Sequence, residues 1–347
     1  MVAAVAIALA AGPSVHKLFE VSLPENYPMS DTVVDAATMN VAWRAVDSNG
    51  KPQVYLLLLS KRKILSLSPG GVSRSQNDCG AGLLSVEVGD GRQQARRTLV
   101  FRMKDGSKVS EVRGHRRRVG KLFHDVAISD LNGKVLFVPG EPEYGKPNPT
   151  YMGRLIWDGN RRLAIIGVGD MPNDNKDVVE IRPNWTKGKR VNLSGFAFGF
   201  EKLVGNPDEG PFAVFESSNR STFTTGIFTK DLRRIGPGPR EALSVTDVGP
   251  NGILALNLKY VEGANDYVDN GAVCLDAKTG KLKWRGKYAG TWLGRHVLAG
   301  LTIADGRTGR RRGTLKLAKP GGIVAKSGDL LFVQTPKMEL VVYRVRP

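Results

Sequence analysis

The string Cys274-Leu275-Asp276-Ala277-Lys278-Thr279-Gly280-Lys281-Leu282-Lys283-Trp284 constrains the fold of this chain more than any other. A short apolar strand runs into an Asp-x-x-Thr-Gly turn, and a second strand leads out to tryptophan. Asp276 is placed to accept backbone N–H bonds within its own turn, Thr279 to do the same from the far side, and Gly280 to take the positive φ that reverses the chain. Trp284 adds a large apolar plate that must lie against a neighbouring sheet.

The unit recurs as Asp305-Gly306-Arg307-Thr308-Gly309 behind the run Leu301-Thr302-Ile303-Ala304, with Gly313 where the tryptophan would fall. A version one residue shorter, without the threonine, occupies 126–134 and leads into Val135-Leu136-Phe137-Val138. Recurrence of one supersecondary unit points to a repeat architecture. The second copy comes sooner than a propeller blade of ~40–50 residues would place it, so the two hairpins are not required to be equivalent.

The stretch 271–288 resembles the repeat of PQQ-like, quinoprotein-type β-propellers, whose blades carry Ala-x-Asp-x-x-Thr-Gly-x-x-x-Trp, here with Cys274 in the alanine position. The tail from Gly322 to Tyr343 has the same cadence. The resemblance implies a structural role for Asp276, Thr279, Gly280, Trp284, Asp305, Thr308 and Gly309. It does not bring the cofactor: the dehydrogenases of that class carry an adjacent cysteine pair and a calcium-bearing centre, whereas Cys79 and Cys274 lie far apart here. Cofactor-free members serve as scaffolds, and a cofactor-free bacterial member is the expectation, without PQQ.

Strand-like runs joined by Gly, Asn and Asp turns continue along the chain with no long helical pattern, which makes the fold all-β. Asn49-Gly50 between two apolar runs is a strong hairpin signal. At ~40–50 residues per blade, the stretch 39–347 divides into about six to eight four-stranded antiparallel blades, with seven as the central expectation. The strands near Leu340 are expected to share a blade with those near Val41, closing the ring. Residues 13–38, with Pro13, Pro24 and Pro28, read as a linker or lead-in.

Residues 2–11 are uninterrupted apolar sequence ending at Gly12-Pro13. That length suits a signal-peptide core and falls short of the ~20 residues that span a bilayer. Residues 1–12 are therefore read as a signal core or the end of a membrane anchor, and the protein as extracytoplasmic, secreted or membrane-anchored.

Lysine and arginine number 51 against 33 acidic residues, a net charge of +18. Such an excess attracts polyanions by steering and counterion release. It is densest at Arg116-Arg117-Arg118 and Arg310-Arg311-Arg312, the candidate contacts for an anionic partner. Asp170, Asn173, Asp174, Asn175 and Asp177 gather oxygen ligands of the kind Ca²⁺ takes, without EF-hand spacing. No nucleophile elbow, phosphate loop or histidine metal spacing stands out, and no catalytic or cofactor-binding residue is assigned.

The expected function is a monomeric, non-catalytic binding or scaffold propeller for a protein or an anionic cell-surface polymer, with membrane contact through the N-terminal segment. Two alternatives stay open. One is a metal-assisted hydrolase or oxidoreductase with its site at the central channel, fed by the acidic loops 170–177 and 262–270. The other is polyanion or nucleic-acid binding, although few aromatics interleave with the arginines for base stacking.

Overall fold

A computed structural model describes residues 14–24, 29–46, 49–67, 78–89, 96–114, 116–124, 127–138, 150–168, 176–193, 201–217, 222–235, 243–261 and 266–346. The apolar segment 1–12 lies outside the described residues, as does Pro13. Eight four-stranded antiparallel sheets form the blades of a propeller. In chain order the blades span 30–66, 78–113, 117–137, 150–192, 201–235, 243–286, 291–314 and 322–346. Within each of blades 1 to 7 the strands run in sequence from the innermost to the outermost.

Eight blades lie within the range the strand rhythm allowed, one above its centre. Blade 7 shows how the extra sheet fits. Its first three strands, Thr291–Leu293, His296–Ala299 and Thr302–Asp305, are short and joined by two-residue turns. This compactness is why the second Asp-x-x-Thr-Gly unit follows the first so closely. The two hairpins are equivalent after all: each joins the third and fourth strands of its blade.

Blade 8 closes the ring differently from the expectation. Its first three strands are Gly322–Ser327, Leu330–Gln334 and Glu339–Arg346, and its outermost strand is Ser14–Ser22, paired antiparallel to Glu339–Arg346. Val41–Val46 belongs to blade 1 next door. The segment read as a lead-in thus holds two strands, Ser14–Ser22 and Ser30–Val34. Prolines hid them: Pro13 precedes the first strand, and Pro24 and Pro28 lie in the connection between the two, where a missing N–H breaks no ladder.

Among the described residues the apolar core is divided between blades. Eight apolar clusters each join two neighbouring blades, as when Val41, Trp43 and Leu57 of blade 1 pack on Leu330, Phe332 and Val342 of blade 8. Middle strands are buried on both faces and read as continuous apolar runs, Leu83–Val88 being buried throughout. Each blade is therefore stabilised by its neighbours, as in other repeat proteins.

Candidate anion-binding face

The Asp-x-x-Thr-Gly turn is a small self-contained device. Asp276 Oδ1 accepts N–H bonds from Lys278 at 3.0 Å and Thr279 at 2.9 Å, and the Thr279 hydroxyl at 2.9 Å. Asp305 Oδ1 accepts the same set from Arg307 at 3.0 Å and from the Thr308 N–H and hydroxyl at 3.1 and 3.2 Å. Gly280 and Gly309 take φ of 70° and 69°. The Trp284 indole donates to Gly306 O at 2.9 Å and lies against Gly309, where any side chain would collide with the ring. The tryptophan of blade 6 thus seats the turn of blade 7.

A third full copy, missed in the sequence, is Asp35-Ala36-Ala37-Thr38-Met39. Asp35 Oδ2 accepts the Thr38 N–H at 3.0 Å and its hydroxyl at 2.5 Å, and Met39 adopts φ 58° in place of glycine. It joins the first and second strands of blade 1. The shorter unit at 126–134 is a genuine relative: Asp130 Oδ1 accepts N–H bonds from Asn132 and Lys134, both at 2.9 Å, between the third and fourth strands of blade 3.

These turns share a face. In an antiparallel meander the first-to-second and third-to-fourth turns lie at one end of the blade and the second-to-third turn at the other. Every third-to-fourth turn of blades 1 to 7 closes on a residue with positive φ: Arg62, Gly106, Gly133, Trp185, Leu232, Gly280 and Gly309. Several carboxylates there bond within their own turns. Thr279 bonds pull the Asp276 carboxyl below the usual range, Ser107 does the same to Asp105, and Arg312 holds Asp305 down at about 2.

Cations beside the same turns point outward. Lys61, Arg62 and Lys63 in blade 1, Arg102 and Lys104 in blade 2, and Lys134 in blade 3 are all exposed. The pattern continues with Arg182 and Lys187 in blade 4 and Lys230 and Arg233 in blade 5. Lys278 and Lys281 in blade 6, then Arg307 and Arg310 in blade 7, complete it. Among the described residues none of these pairs with a carboxylate; Arg62 lies over the Phe19 ring at 5.6 Å and Arg102 reaches Ser107 Oγ at 3.2 Å. Some cations elsewhere are neutralised. Arg97 and Lys108 on the outer strands of blade 2 share Glu111 at 2.7 and 3.1 Å, and Lys319 binds Glu20 and Glu339 at 2.9 Å each.

The arginine runs fall in unlike places. Arg117 and Arg118 lie on the innermost strand Arg117–Val119, with Arg116 half-buried just before it. Arg118 is 2 % exposed and donates to Ser85 Oγ and to the carbonyls of Gly80, Leu83 and Gly120, so it is a tie between blades 2 and 3 rather than an anion contact. Arg312 is held by Asp305 at 2.6 Å and Arg311 by Thr314 Oγ1 at 2.8 Å, which leaves Arg310 as the member of both runs that stands free on the turn face.

Of the proposed calcium ligands, Asp170, Asn173, Asp174 and Asn175 lie outside the described residues. Asp177 accepts a bond from Asn192 Nδ2 at 3.0 Å. The second acidic loop is in part a strand, since Asp266–Leu275 begins within it and Asp269 Oδ1 accepts the Gly271 N–H at 2.7 Å. Among the described residues no three His, Cys, Asp or Glu side chains converge on a metal position.

Near the axis, Asp247, Trp292 and Lys326 link the innermost strands of blades 6, 7 and 8. Asp247 Oδ2 accepts the Trp292 N–H at 2.7 Å, while Lys326 donates to Trp292 O and lies 4.0 Å from Asp247. Burial lowers the Lys326 pKa, and Asp247 opposes that shift. Cys274 is a buried free thiol pushed up to about 11 by burial, which suits packing rather than reactivity. Two open grooves, of about 420 and 300 Å³, flank the outer strand Lys108–Arg113, and Glu111 borders both.

No family model matches the chain, and no curated relative of it is found. Solved structures share the architecture at low identity. The computationally designed Ika8 protein superposes with a TM-score of 0.52 at 10 % identity, covering 93 % of this chain and 98 % of its own. BamB from Moraxella catarrhalis gives 0.48 at 11 % identity, over 95 % of this chain and 100 % of its own. The uncharacterized protein lmo1340 from Listeria monocytogenes EGD-e gives 0.47 at 14 %, over 86 % and 97 %. At these identities the likeness is one of fold: the chain is a β-propeller protein.

Proposed function

We propose that this protein is a non-catalytic, PQQ-like binding propeller that docks an anionic partner through the face bearing the third-to-fourth turns, in an extracytoplasmic setting. One observation carries the reading: exposed cations recur beside these turns in blades 1 to 7 without carboxylate partners among the described residues, and they outnumber the carboxylates there, of which those of blades 2, 3, 6 and 7 bond within their own turns. Cations left unpaired in this way raise the local potential and attract anions. The apolar run 2–11 supports the extracytoplasmic setting.

The test is binding of long-chain polyphosphate across a salt series. Wild type binds and loses affinity steeply as salt rises. The variant Lys278→Glu/Lys281→Glu/Arg307→Glu/Arg310→Glu binds far more weakly, while Lys259→Glu/Lys337→Glu, exposed at the opposite face, behaves as wild type. Equal losses in the two variants would overturn the assignment of the face.

A further inference from the structure

We infer that the outer edge of blade 2 is a second binding site, which takes an extended peptide of alternating acidic and apolar residues as a fifth strand. The site lies apart from the turn face and stands independently of it.

The edge is open. Lys108–Arg113 is the outermost strand of its sheet and is six residues long. The outer strands of blades 3, 5 and 7 have three, two and four residues, and short edges make poor templates for a partner. The Gly114 N–H donates to Arg96 O at 2.7 Å, and pairs along an antiparallel ladder alternate between bonded and non-bonded. Counting back from Gly114, Val112 and Ser110 spend their N–H and C=O groups on the neighbouring strand. Those of Glu111 and Arg113 point away from it, to the open edge.

A strand added there meets a groove on each face. One, of about 420 Å³, lies between blades 1 and 2, with the buried side chains of Leu99 and Phe101 in its wall beside Arg97 and Lys108. The other, of about 300 Å³, lies between blades 2 and 3, with buried Phe123 in its wall beside Arg113 and Arg116. Successive side chains of a strand point to opposite faces of a sheet, so alternate residues of the added strand enter different grooves. In strand addition main-chain bonds hold a peptide and pockets select its alternate side chains.

Charge selects the peptide. Among the described residues four cations and one carboxylate, Glu111, line the two grooves. Glu111 is bonded to Arg97 at 2.7 Å and to Lys108 at 3.1 Å, so the first groove has its charges paired beside an apolar wall and suits an apolar side chain. The second sets Arg113 and Arg116 against that one shared carboxylate and suits an acidic side chain. A second copy of this chain fits badly, because full antiparallel register on the same strand puts Lys108 opposite Arg113 at both ends.

The experiment is fluorescence anisotropy of the full chain with a labelled, end-blocked peptide of alternating glutamate and valine. Wild type is expected to bind it saturably. Glu111→Pro removes an outward N–H and leaves the ladder intact, and should bind on the order of tenfold more weakly, the size of one lost hydrogen bond. Glu111→Ala keeps that N–H and removes the carboxylate, and should bind at least as tightly as wild type. K108E/R113E should lose affinity through charge, and thermal unfolding confirms that each variant is folded.

Unchanged binding by E111P, or by wild type towards the same peptide N-methylated throughout, would overturn strand addition; the methylated peptide decides the matter if E111P does not fold. A loss in K278E/K281E/R307E/R310E with K108E/R113E unaffected would put the peptide on the turn face and remove this site alone. A wild-type dimer in sedimentation that E111P dissolves would make a second copy the occupant and overturn the peptide. If wild type binds polyphosphate through the turn face but not the peptide, the docking face stands and the blade 2 edge falls.

Discussion

Arg116-Arg117-Arg118 and Arg310-Arg311-Arg312 are the same three letters in two positions of the blade, and the fold uses them in opposite ways. Blade 3 threads its run onto the innermost strand, where Arg118 is drawn among carbonyls of blade 2. Blade 7 places its run across a turn and an outermost strand, where Arg310 is exposed. The difference teaches that local charge density does not identify a docking surface in a repeat fold. Register within the blade does, because it decides whether a side chain meets a neighbouring blade or solvent.

The comparison can be broken most sharply at Arg118. Arg118→Ala leaves Ser85 Oγ and the carbonyls of Gly80, Leu83 and Gly120 without their donor, and should cost about 4 kcal/mol, since each unsatisfied buried group costs ~1–3 kcal/mol. Arg310→Ala should stay within about 0.5 kcal/mol. Urea unfolding of the pair measures both, and similar losses would erase the distinction. Next comes Trp284→Ala, expected to cost about 3 kcal/mol because the indole seats the blade 7 turn through Gly306 and Gly309.

A smaller effect, about 1 kcal/mol, is expected for Asp305→Ala, which removes the acceptor of the turn N–H groups in the manner of a lost cap, and Asp276→Ala is expected to lower stability in the same direction. Asp305 adds a pH signature. Its folded pKa, about 2, lies below the ordinary aspartate value of 3.8, so its contribution is fully present above about pH 4 and is lost as the pH falls through 2. The melting-temperature gap between wild type and Asp305→Asn should therefore narrow between those values; a gap that stays constant would mean that the Arg312 contact does not set this carboxyl.

Much of the fold could be read from the chain because turn chemistry is local. Asp276 to Trp284 announces strand, turn and strand by itself, and the structure keeps those bonds. The copies that were harder to see had lost the glycine, not the geometry: Met39, Trp185 and Leu232 take the left-handed position where glycine would have flagged it. The closing strand was obscured because Ser14–Ser22 pairs with residues at the far end of the chain, and long-range pairing leaves no local mark.

The candidate face was nearly invisible for a related reason. Lys61, Lys104, Lys187 and Lys278 are distant in sequence and unremarkable one at a time, and they converge on one face only once the blade register is known. The conspicuous arginine runs drew attention instead, and of those Arg310 alone stands free on the face.

The most direct measurement is an amine-acetylation footprint, read by mass spectrometry with and without long-chain polyphosphate. A cationic docking face predicts that Lys61, Lys104, Lys187, Lys278 and Lys281 become protected while Lys259 and Lys337 go on reacting as in the free protein. Protection of Lys259 and Lys337 with continued reaction of the turn lysines would contradict it.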